Sequence, residues 1–181
     1  VDSSVDNMLL ITNDGKKMAL DQRLINPLLP DDPNSKVNTC IKNVFSIWDK
    51  YKDKKSAQLI FCDMSTPSSD FNIYDDIKTK LIEMGVPENE IEFIHKAKNN
   101  MEKDAIFDKV RKGEIRVLLG STQKMGAGTN AQDKLIAIHD LDIPWRPADL
   151  SQRAGRIVRQ GNENKEVHIF RYVTENTFDA Y

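Results

Sequence analysis

The feature that most constrains the fold of this chain is a regular alternation of short apolar runs with amphipathic segments. Apolar runs bounded by turn-forming residues are typical of buried parallel strands. They cover residues 57–62, 91–94, 115–119, 135–141 and 167–173. Helical spacing of apolar residues predicts helices over 36–51, 73–84, 101–111 and 147–158. This order predicts an α/β fold with a parallel sheet and helices on both faces.

The beginning of the chain has a weaker pattern. Residues 8–12 predict a short strand or the end of a helix, and Asn13-Asp14-Gly15 predicts a turn. Residues 18–25 have helical spacing, and a proline-rich stretch without periodicity follows. We therefore expect residues 1–34 to be a connecting segment that precedes the domain.

The composition excludes several classes of protein. Lys and Arg number 26 against 28 Asp and Glu, so the net charge is −2 and a globally basic nucleic-acid binder is excluded, although a local basic face is not. No apolar run approaches the roughly 18 residues of a membrane span, and the first residues lack a signal peptide. Cys40 and Cys62 are isolated, which favours a reducing, cytoplasmic compartment.

The common catalytic signatures are absent from the sequence. There is no G-x-x-x-x-G-K-[ST] phosphate loop and no dinucleotide-binding G-x-G-x-x-G between a strand and a helix. His95, His139 and His168 all fall in or beside strand runs, and we expect packed side chains rather than metal ligands. The sequence thus predicts no metal site and no self-contained active site.

Arginines concentrate near the end of the chain, where five of eight lie within 26 residues: Arg146, Arg153, Arg156, Arg159 and Arg171. With Pro147 in the first turn of a helix, one face carries an apolar stripe of Leu150, Ala154, Ile157 and Val158. Gln152, Arg156 and Arg159 then project from the opposite side. Planar, permanently charged guanidinium groups suit a triphosphate, whereas the alternative interpretation is a solvated surface helix.

Residues 152–161 (QRAGRIVRQG) resemble motif VI of superfamily-two helicases in its Swi/Snf-like form. Residues 142–147 (DIPWRP) are similar to that group's D-x-x-W-N-P, although Arg146 replaces the usual Asn. Residues 121–130 (STQKMGAGTN) resemble motif V, from which Met125 and Thr129 depart. Residues 59–64 (LIFCDM) are similar to the strand of motif IV. The resemblance covers nearly the whole chain in the correct order.

The resemblance implies the C-terminal lobe of an ATP-dependent DNA helicase or translocase. The implied fold is a three-layer RecA-like, P-loop NTPase-like parallel sheet over residues 35–173, with 174–181 beginning a brace helix. ATP and Mg²⁺ would be bound mainly by a first lobe that carries the P-loop. The intact protein would be an ATP hydrolase, and we expect this chain by itself to be inactive. Such lobes also occur in large phage and mobile-element proteins with methyltransferase segments.

The resemblance also implies roles for individual residues. Arg159 would be the arginine finger, Arg156 a second phosphate contact and Gln152 a coupling residue near the γ-phosphate. The nucleotide would be approached by Gly126, Gly128 and Asn130. Nucleic-acid backbone would be contacted by Ser121 and Thr122, together with Ser65 and Thr66 in the loop after Cys62. For Asp140 and Asp142 we favour a structural role over a catalytic pair.

The expected partners are the first RecA-like lobe of the same protein and DNA, with double-stranded DNA favoured over RNA and no membrane. The alternative hypothesis is a non-catalytic RecA-like domain that binds nucleic acid or regulates another protein. Retention of the motif VI glutamine and arginines favours the motor, because a pure binding module has no need of them.

Overall fold

The computed structural model describes residues 3–126, 130–144, 146–155, 157 and 161–174. The α-helices are α1 (Ser3–Leu20), α2 (Lys36–Lys50), α3 (Ile73–Met84), α4 (Asn100–Arg111), α5 (Thr122–Met125) and α6 (Pro147–Ala154). The strands are β1 (Ala57–Phe61), β2 (Ile91–Phe93), β3 (Val117–Gly120), β4 (Leu135–Asp140) and β5 (His168–Arg171).

The five strands form one sheet in the order β2-β3-β1-β4-β5, and every neighbouring pair is parallel. Leu59 at the centre of β1 lies opposite Leu118 of β3 and Ile138 of β4. Each of the five predicted strands is present. The predicted parallel sheet is therefore confirmed, and the carboxyl ends of all strands meet at one edge.

The core lies on both faces of this sheet because side chains alternate along each strand. Ile60 and Cys62 face a cluster that includes buried residues of α2 and α3. Leu59 and Phe61 face a second cluster that includes buried residues of α4. Burying each large apolar side chain contributes about 1.5–3 kcal/mol, so both helical layers are held by the sheet.

Local capping interactions explain where the helices begin. Ser35 precedes α2, and its hydroxyl accepts a hydrogen bond from the Asn38 amide at 3.1 Å. Asn72 caps α3 and Asn99 caps α4 in the same way, each at 2.9 Å. Side chains of this type satisfy amides that have no partner inside the helix, and each contributes about 1 kcal/mol.

The prediction for the beginning of the chain is wrong in one respect. A single helix, α1, runs through residues 8–12 and through the predicted turn at Asn13-Asp14-Gly15. A glycine inside a helix costs about 1 kcal/mol relative to alanine, which flanking helix formers such as Lys16, Lys17 and Met18 offset. Local turn propensity therefore does not end this helix.

The predicted connecting segment is attached to the domain by ion pairs. Arg23 lies between Asp21 and Asp76 of α3, at 2.7 and 3.0 Å, and its guanidinium stacks over the Phe71 ring. Lys80 of α3 reaches Asp31 at 2.6 Å. Residues 21–31 are thus held against α3 rather than extended away from it.

The three histidines differ in their surroundings. His139 is fully buried, His95 is half-buried and His168 is exposed. The prediction of packed histidines is confirmed for His139 and is wrong for His168, because β5 is an edge strand that leaves most of its residues exposed. In the described part of the chain, no helix has the length and apolar character needed to span a membrane.

Candidate functional site at the carboxyl edge of the sheet

Polar residues follow three adjacent strands at the carboxyl edge of the sheet. Asp63 comes after β1, Thr122 after β3, and Asp140 and Asp142 lie at the end of β4 and just beyond it. Because β1 is hydrogen-bonded to β3 on one side and to β4 on the other, these residues converge. Open parallel sheets bind their ligands at this edge.

Arg153 of α6 reaches into the centre of this group and is fully buried. Its Nε donates to the Thr122 hydroxyl at 2.8 Å. Its Nη1 donates to the Asp140 carboxylate at 3.2 Å and to the Asp142 carbonyl at 2.9 Å. Its Nη2 lies 3.1 Å from both the Asp142 and the Asp63 carboxylates. All five residues together form what we term the Arg153 cluster.

The carboxylates of the cluster also bind backbone amides of neighbouring loops. Asp63 accepts from the Thr122 amide at 2.7 Å and from its hydroxyl at 2.8 Å. Asp142 accepts from the amides of Asp63 and Met64 at 2.7 and 2.6 Å. The loop after β4 therefore holds the loop after β1, which in turn holds the loop after β3.

Burial and ion pairing act in opposite directions on the titration of the cluster. Burial disfavours the Arg153 cation, but the carboxylates of Asp142, Asp63 and Asp140 outweigh it and raise the Arg153 pKa. Burial also raises the pKa of Asp140, against the opposing effect of Arg153. The guanidinium lies 5.2 Å from the centre of the Phe61 ring. Arg153 thus remains charged inside the domain, as a buried arginine with several hydrogen-bonded partners can.

The hydroxyl groups predicted to contact nucleic acid have intramolecular partners where they are buried. Ser65 accepts from the Ile73 amide at 3.0 Å, and Ser121 accepts from the Lys124 amide at 3.1 Å. Thr122 binds Asp63 and Arg153 as described above, whereas Thr66 is exposed. The structure brings the loops after β1 and β3 together at one edge, as the nucleic-acid prediction requires. Contact with nucleic acid itself stays a prediction.

The predicted nucleotide-contacting loop begins at Gly126, which ends α5 with φ +67° and ψ 179°. This conformation is accessible almost only to glycine, and a Cβ here would also lie 3.4 Å from the Lys103 ammonium. Asn130 is exposed, and its carbonyl accepts a hydrogen bond from Arg111. Gly128, the remaining residue predicted to approach the nucleotide, lies outside the described residues.

The arginine-rich helix is shorter than predicted. α6 ends at Ala154, and the amide of Ile157 donates to the Ala154 carbonyl within a turn. Gly155 is the C-cap residue of α6, and its amide donates to the Ser151 carbonyl at 2.9 Å. Gln152 is half-buried. Arg156 and Arg159, predicted to meet ATP, and Val158 of the predicted stripe lie outside the described residues.

Sequence reasoning missed the residue at the centre of the site. On a helical face, Arg153 stands with Leu150, Ala154 and Ile157, and of these Arg153 and Ile157 are the buried ones. Two signals could have found it: an arginine on an apolar stripe, and an aspartate after each of two neighbouring strands. The contacts of Asp140 and Asp142 with Arg153 agree with the structural role favoured for them.

Comparison with known proteins defines the class of protein to which this geometry belongs. Residues 35–161 match the family described as the helicase conserved C-terminal domain. The matched range contains the loops after β1, β3 and β4 as well as α6. This chain belongs to that family, and the prediction of a helicase C-terminal lobe is confirmed.

Two curated relatives match shorter parts of the chain. The uncharacterized ATP-dependent helicase YqhH of Bacillus subtilis (strain 168) is 40% identical over 79 residues, which cover 44% of this chain and 14% of that protein. The Defense against restriction protein B of Escherichia phage P1 is 36% identical over 59 residues, covering 33% of this chain and 3% of that protein. This chain therefore spans a small fraction of the length of either relative.

Solved structures confirm the RecA-like fold. The C-terminal part of the Fun30 ATPase domain aligns with a TM-score of 0.61 at 21% identity, over 84% of this chain and 46% of that one. The Hef helicase domain of Pyrococcus furiosus gives 0.53 at 17% identity, over 81% and 27%. Dbp5 of S. cerevisiae, bound to RNA and ADP BeF3, gives 0.51 at 20% identity, over 75% and 34%. At these identities the likeness shows the fold alone.

Proposed function

We propose that this chain is the second lobe of an ATP-dependent DNA helicase or translocase whose first lobe carries the P-loop. The observation that carries the proposal is the convergence of the loops after β1, β3 and β4 with α6 at one edge of the sheet. These segments contain the sequences that resemble motifs IV, V and VI. A motor needs them side by side, because the binding of nucleic acid and the binding of ATP must influence each other within this lobe.

In this proposal the lobe supplies charge rather than a complete nucleotide pocket. Arg159 acts as the arginine finger, Arg156 as a second phosphate contact and Gln152 as the coupling residue. An arginine finger stabilises the charge that develops on the transferred phosphoryl group, an effect of about 10³–10⁵ in rate in other phosphoryl-transfer enzymes. The guanidinium is suited to this role because its charge is permanent and its donors are planar.

The carboxylates of this lobe are consistent with Mg²⁺ being bound by the first lobe. The Asp63, Asp140 and Asp142 carboxylates at the carboxyl edge are already paired with Arg153. Mg²⁺ prefers carboxylates and water that are free to complete an octahedron. We therefore assign the metal and the phosphate cradle to the first lobe, and the sequence of this chain contains no G-x-x-x-x-G-K-[ST] loop.

Nucleic acid is proposed to bind through its backbone at the loops after β1 and β3. Thr66 and Lys124 are exposed there, and the net charge of −2 restricts binding to such a local surface. Contacts with phosphates carry no sequence information and weaken with salt. We expect weak, salt-sensitive binding, with double-stranded DNA preferred over RNA.

The test is a steady-state ATPase assay of the protein that carries this chain together with its P-loop lobe. Arg159→Ala is expected to lower the DNA-stimulated rate by about two orders of magnitude or more, because it removes stabilisation of the transition state. Arg159→Lys should restore little of this rate, since an ammonium cannot reproduce the guanidinium fork. Arg146→Ala, which changes an exposed arginine of the same segment, is the matched control.

Two outcomes would count against the proposed function. If Arg159→Ala leaves the DNA-stimulated rate intact, the arginine finger is wrongly assigned. If the purified 181-residue chain hydrolyses ATP strongly by itself, and a substitution within it abolishes this activity, the proposal of half a motor fails. Absence of any nucleic-acid-stimulated ATPase would favour the non-catalytic alternative.

A further inference from the structure

The Arg153 cluster joins four segments that are distant in the sequence. Asp63 follows β1, Thr122 follows β3, Asp140 and Asp142 lie at the end of β4 and just beyond it, and Arg153 belongs to α6. If Arg153 served only to hold one end of a helix, a single one of these contacts would be enough. A displacement of any one loop must therefore change the contacts of Arg153, and through it the position of α6.

Carboxylates outnumber cations in this cluster. Three carboxylates share the Arg153 guanidinium. Among the described residues, a further cation beside Asp140 is Arg171, whose Nε is 3.6 Å from that carboxylate and whose side chain is 56% exposed. Added negative charge therefore changes how the guanidinium is shared, since the carboxylates compete for it. A nucleic-acid phosphate that approaches the loop after β1 brings such a charge.

Asp63 is the member of the cluster that such a phosphate would affect first. Its side chain is 34% exposed, against 3% for Asp140 and 9% for Asp142. It lies two residues before Ser65 and three before Thr66 in the loop proposed to bind nucleic acid. Both of its oxygens hold Thr122 in the second such loop. At the other end of this connection, Arg153 directly follows Gln152.

We propose that Asp63 and Arg153 are positioning residues that couple nucleic-acid binding to the residues that meet ATP. Phosphate at the loops after β1 and β3 shifts Asp63, Arg153 follows because it is paired with Asp63, and α6 moves with Arg153. This inference rests on the proposed function, and it adds two residues to which the motif resemblance gives no role. Neither residue touches the reacting atoms.

The test uses Asp63→Asn in the protein that carries the P-loop lobe. Asparagine keeps the shape and an oxygen that can accept from the Thr122 amide, but it removes the charge that Arg153 pairs with. We expect the basal ATPase rate to stay unchanged. DNA affinity, measured by fluorescence anisotropy, should be retained or rise slightly, because a negative charge near the phosphates is removed. The maximal DNA-stimulated rate should fall about tenfold, in the range typical of coupling between two sites. A purely structural residue would instead lower basal and stimulated rates in parallel.

Two further variants separate coupling from folding. Asp31→Asn is the matched control, because Asp31 is 39% exposed and is paired with Arg23 and Lys80 rather than with the Arg153 cluster. It should change neither rate. Arg153→Lys keeps the buried charge but cannot bind Asp63, Thr122 and both β4 aspartates at once, so it should lose stimulation as Asp63→Asn does. This variant carries the test if Asp63→Asn does not fold.

The outcomes distinguish this inference from the proposed function. Loss of stimulation with basal rate and affinity retained supports the coupling role. Full stimulation in both Asp63→Asn and Arg153→Lys overturns it, and so does a parallel loss of basal and stimulated rates in the variant that folds. If the unaltered protein shows no DNA-stimulated ATPase at all, the proposed function has failed and not the coupling alone.

Discussion

His139 and Asp140 are neighbours in β4, and both are buried polar residues. His139 is stabilised by hydrogen bonds to uncharged groups, whereas Asp140 is stabilised by an ion pair. The alternation of side chains along a strand sends His139 to the face covered by α2 and α3, and Asp140 to the face of the Arg153 cluster. His139 joins a network of uncharged groups. Asp140 joins a group of ions. One strand thus carries both kinds of polar core side by side.

The uncharged network has a defined order of donors and acceptors. Gln58 donates through its amide nitrogen to the Val44 carbonyl at 2.9 Å, so its oxygen accepts from His139 Nε2 at 2.7 Å. His139 Nδ1 then accepts from the Tyr172 hydroxyl at 2.8 Å, which accepts from Asn43 at 3.1 Å. Burial lowers the pKa of His139 to about 3, which keeps it neutral.

The difference between the two clusters follows what each connects. The uncharged network joins α2, β1, β4 and Tyr172, which directly follows β5, and the sheet and the core already fix the relative positions of these segments. The Arg153 cluster joins α6, the start of α5 and the end of β4 to the loops that contain Asp63 and Asp142, and those loops have no such support from regular hydrogen bonds. Ion pairs hold the loops at the edge proposed to meet nucleic acid, whereas neutral hydrogen bonds suffice in the interior. The two clusters should therefore respond differently to mutation and to acid.

The largest expected effect is on stability, from removal of the cation that three carboxylates share. Arg153→Met should lower the free energy of unfolding of the 181-residue chain by about 3–5 kcal/mol, because it leaves buried charges without a partner. Arg171→Met is the control, since this exposed arginine lies beside the same Asp140 and should cost about 0.5 kcal/mol. Urea denaturation followed by circular dichroism measures both. Equal losses would remove the distinction between buried and exposed pairs.

The second effect is a loss of stability in mild acid that originates in His139. The unfolded histidine, with a pKa near 6.5, binds a proton that the folded one, with a pKa of about 3, does not. The contribution of neutral His139 to the free energy of unfolding is therefore complete above pH 6.5. It should fall by about 2 kcal/mol between pH 6.5 and pH 5. Melting temperatures across this range measure it.

Asp140 provides the contrast within the same strand. Its pKa is raised in the folded state, so its contribution to stability increases as the pH falls, opposite in sign to that of His139. His139→Gln should therefore flatten the decline between pH 6.5 and pH 5, whereas Asp140→Asn should not. A decline of undiminished slope in His139→Gln would show that another group titrates there.

A smaller effect is expected when one hydroxyl leaves the uncharged network. Tyr172→Phe removes the partner that His139 Nδ1 and the Asn43 amide share, at a cost of about 1–2 kcal/mol. Tyr51→Phe, which lies outside the network, is the control. Chemical denaturation at pH 7 compares the two. A loss as large as that of Arg153→Met would mean that the neutral network and the Arg153 cluster contribute equally to the free energy of unfolding.

The sequence predicted the regular parts of the fold well. The strands and α2, α3 and α4 follow from apolar spacing and caps, because burial against the sheet and local capping favour the same elements. α1 and the end of α6 were harder, since Gly15 is tolerated within one helix and Gly155 ends the other. A single glycine costs a similar amount of stability in both helices. Whether the helix continues past it therefore depends on the residues around the glycine.

The candidate site was predicted in outline but not at its centre. Motif resemblance located the loops and α6, because motifs record which residues a function needs. It gave no role to Arg153 or Asp63, whose importance comes from contacts between distant segments. Only the strand order, which brings the ends of β3, β1 and β4 together, makes these contacts possible.

The smallest expected effect on stability comes from the arginines proposed to meet ATP. Arg156→Ala and Arg159→Ala should each change the free energy of unfolding by about 0.5 kcal/mol, as at surface positions, because their proposed role exists only when ATP joins two lobes. Ile157→Ala, between them in sequence, should cost about 2 kcal/mol or more, since Ile157 is buried in the core and the change leaves a cavity. Thermal melts of the three variants provide the measurement. Unfolding of the Arg159→Ala domain would make Arg159 a structural residue like Arg153, and the contrast between the buried Arg153 and the arginine proposed to meet ATP would be lost.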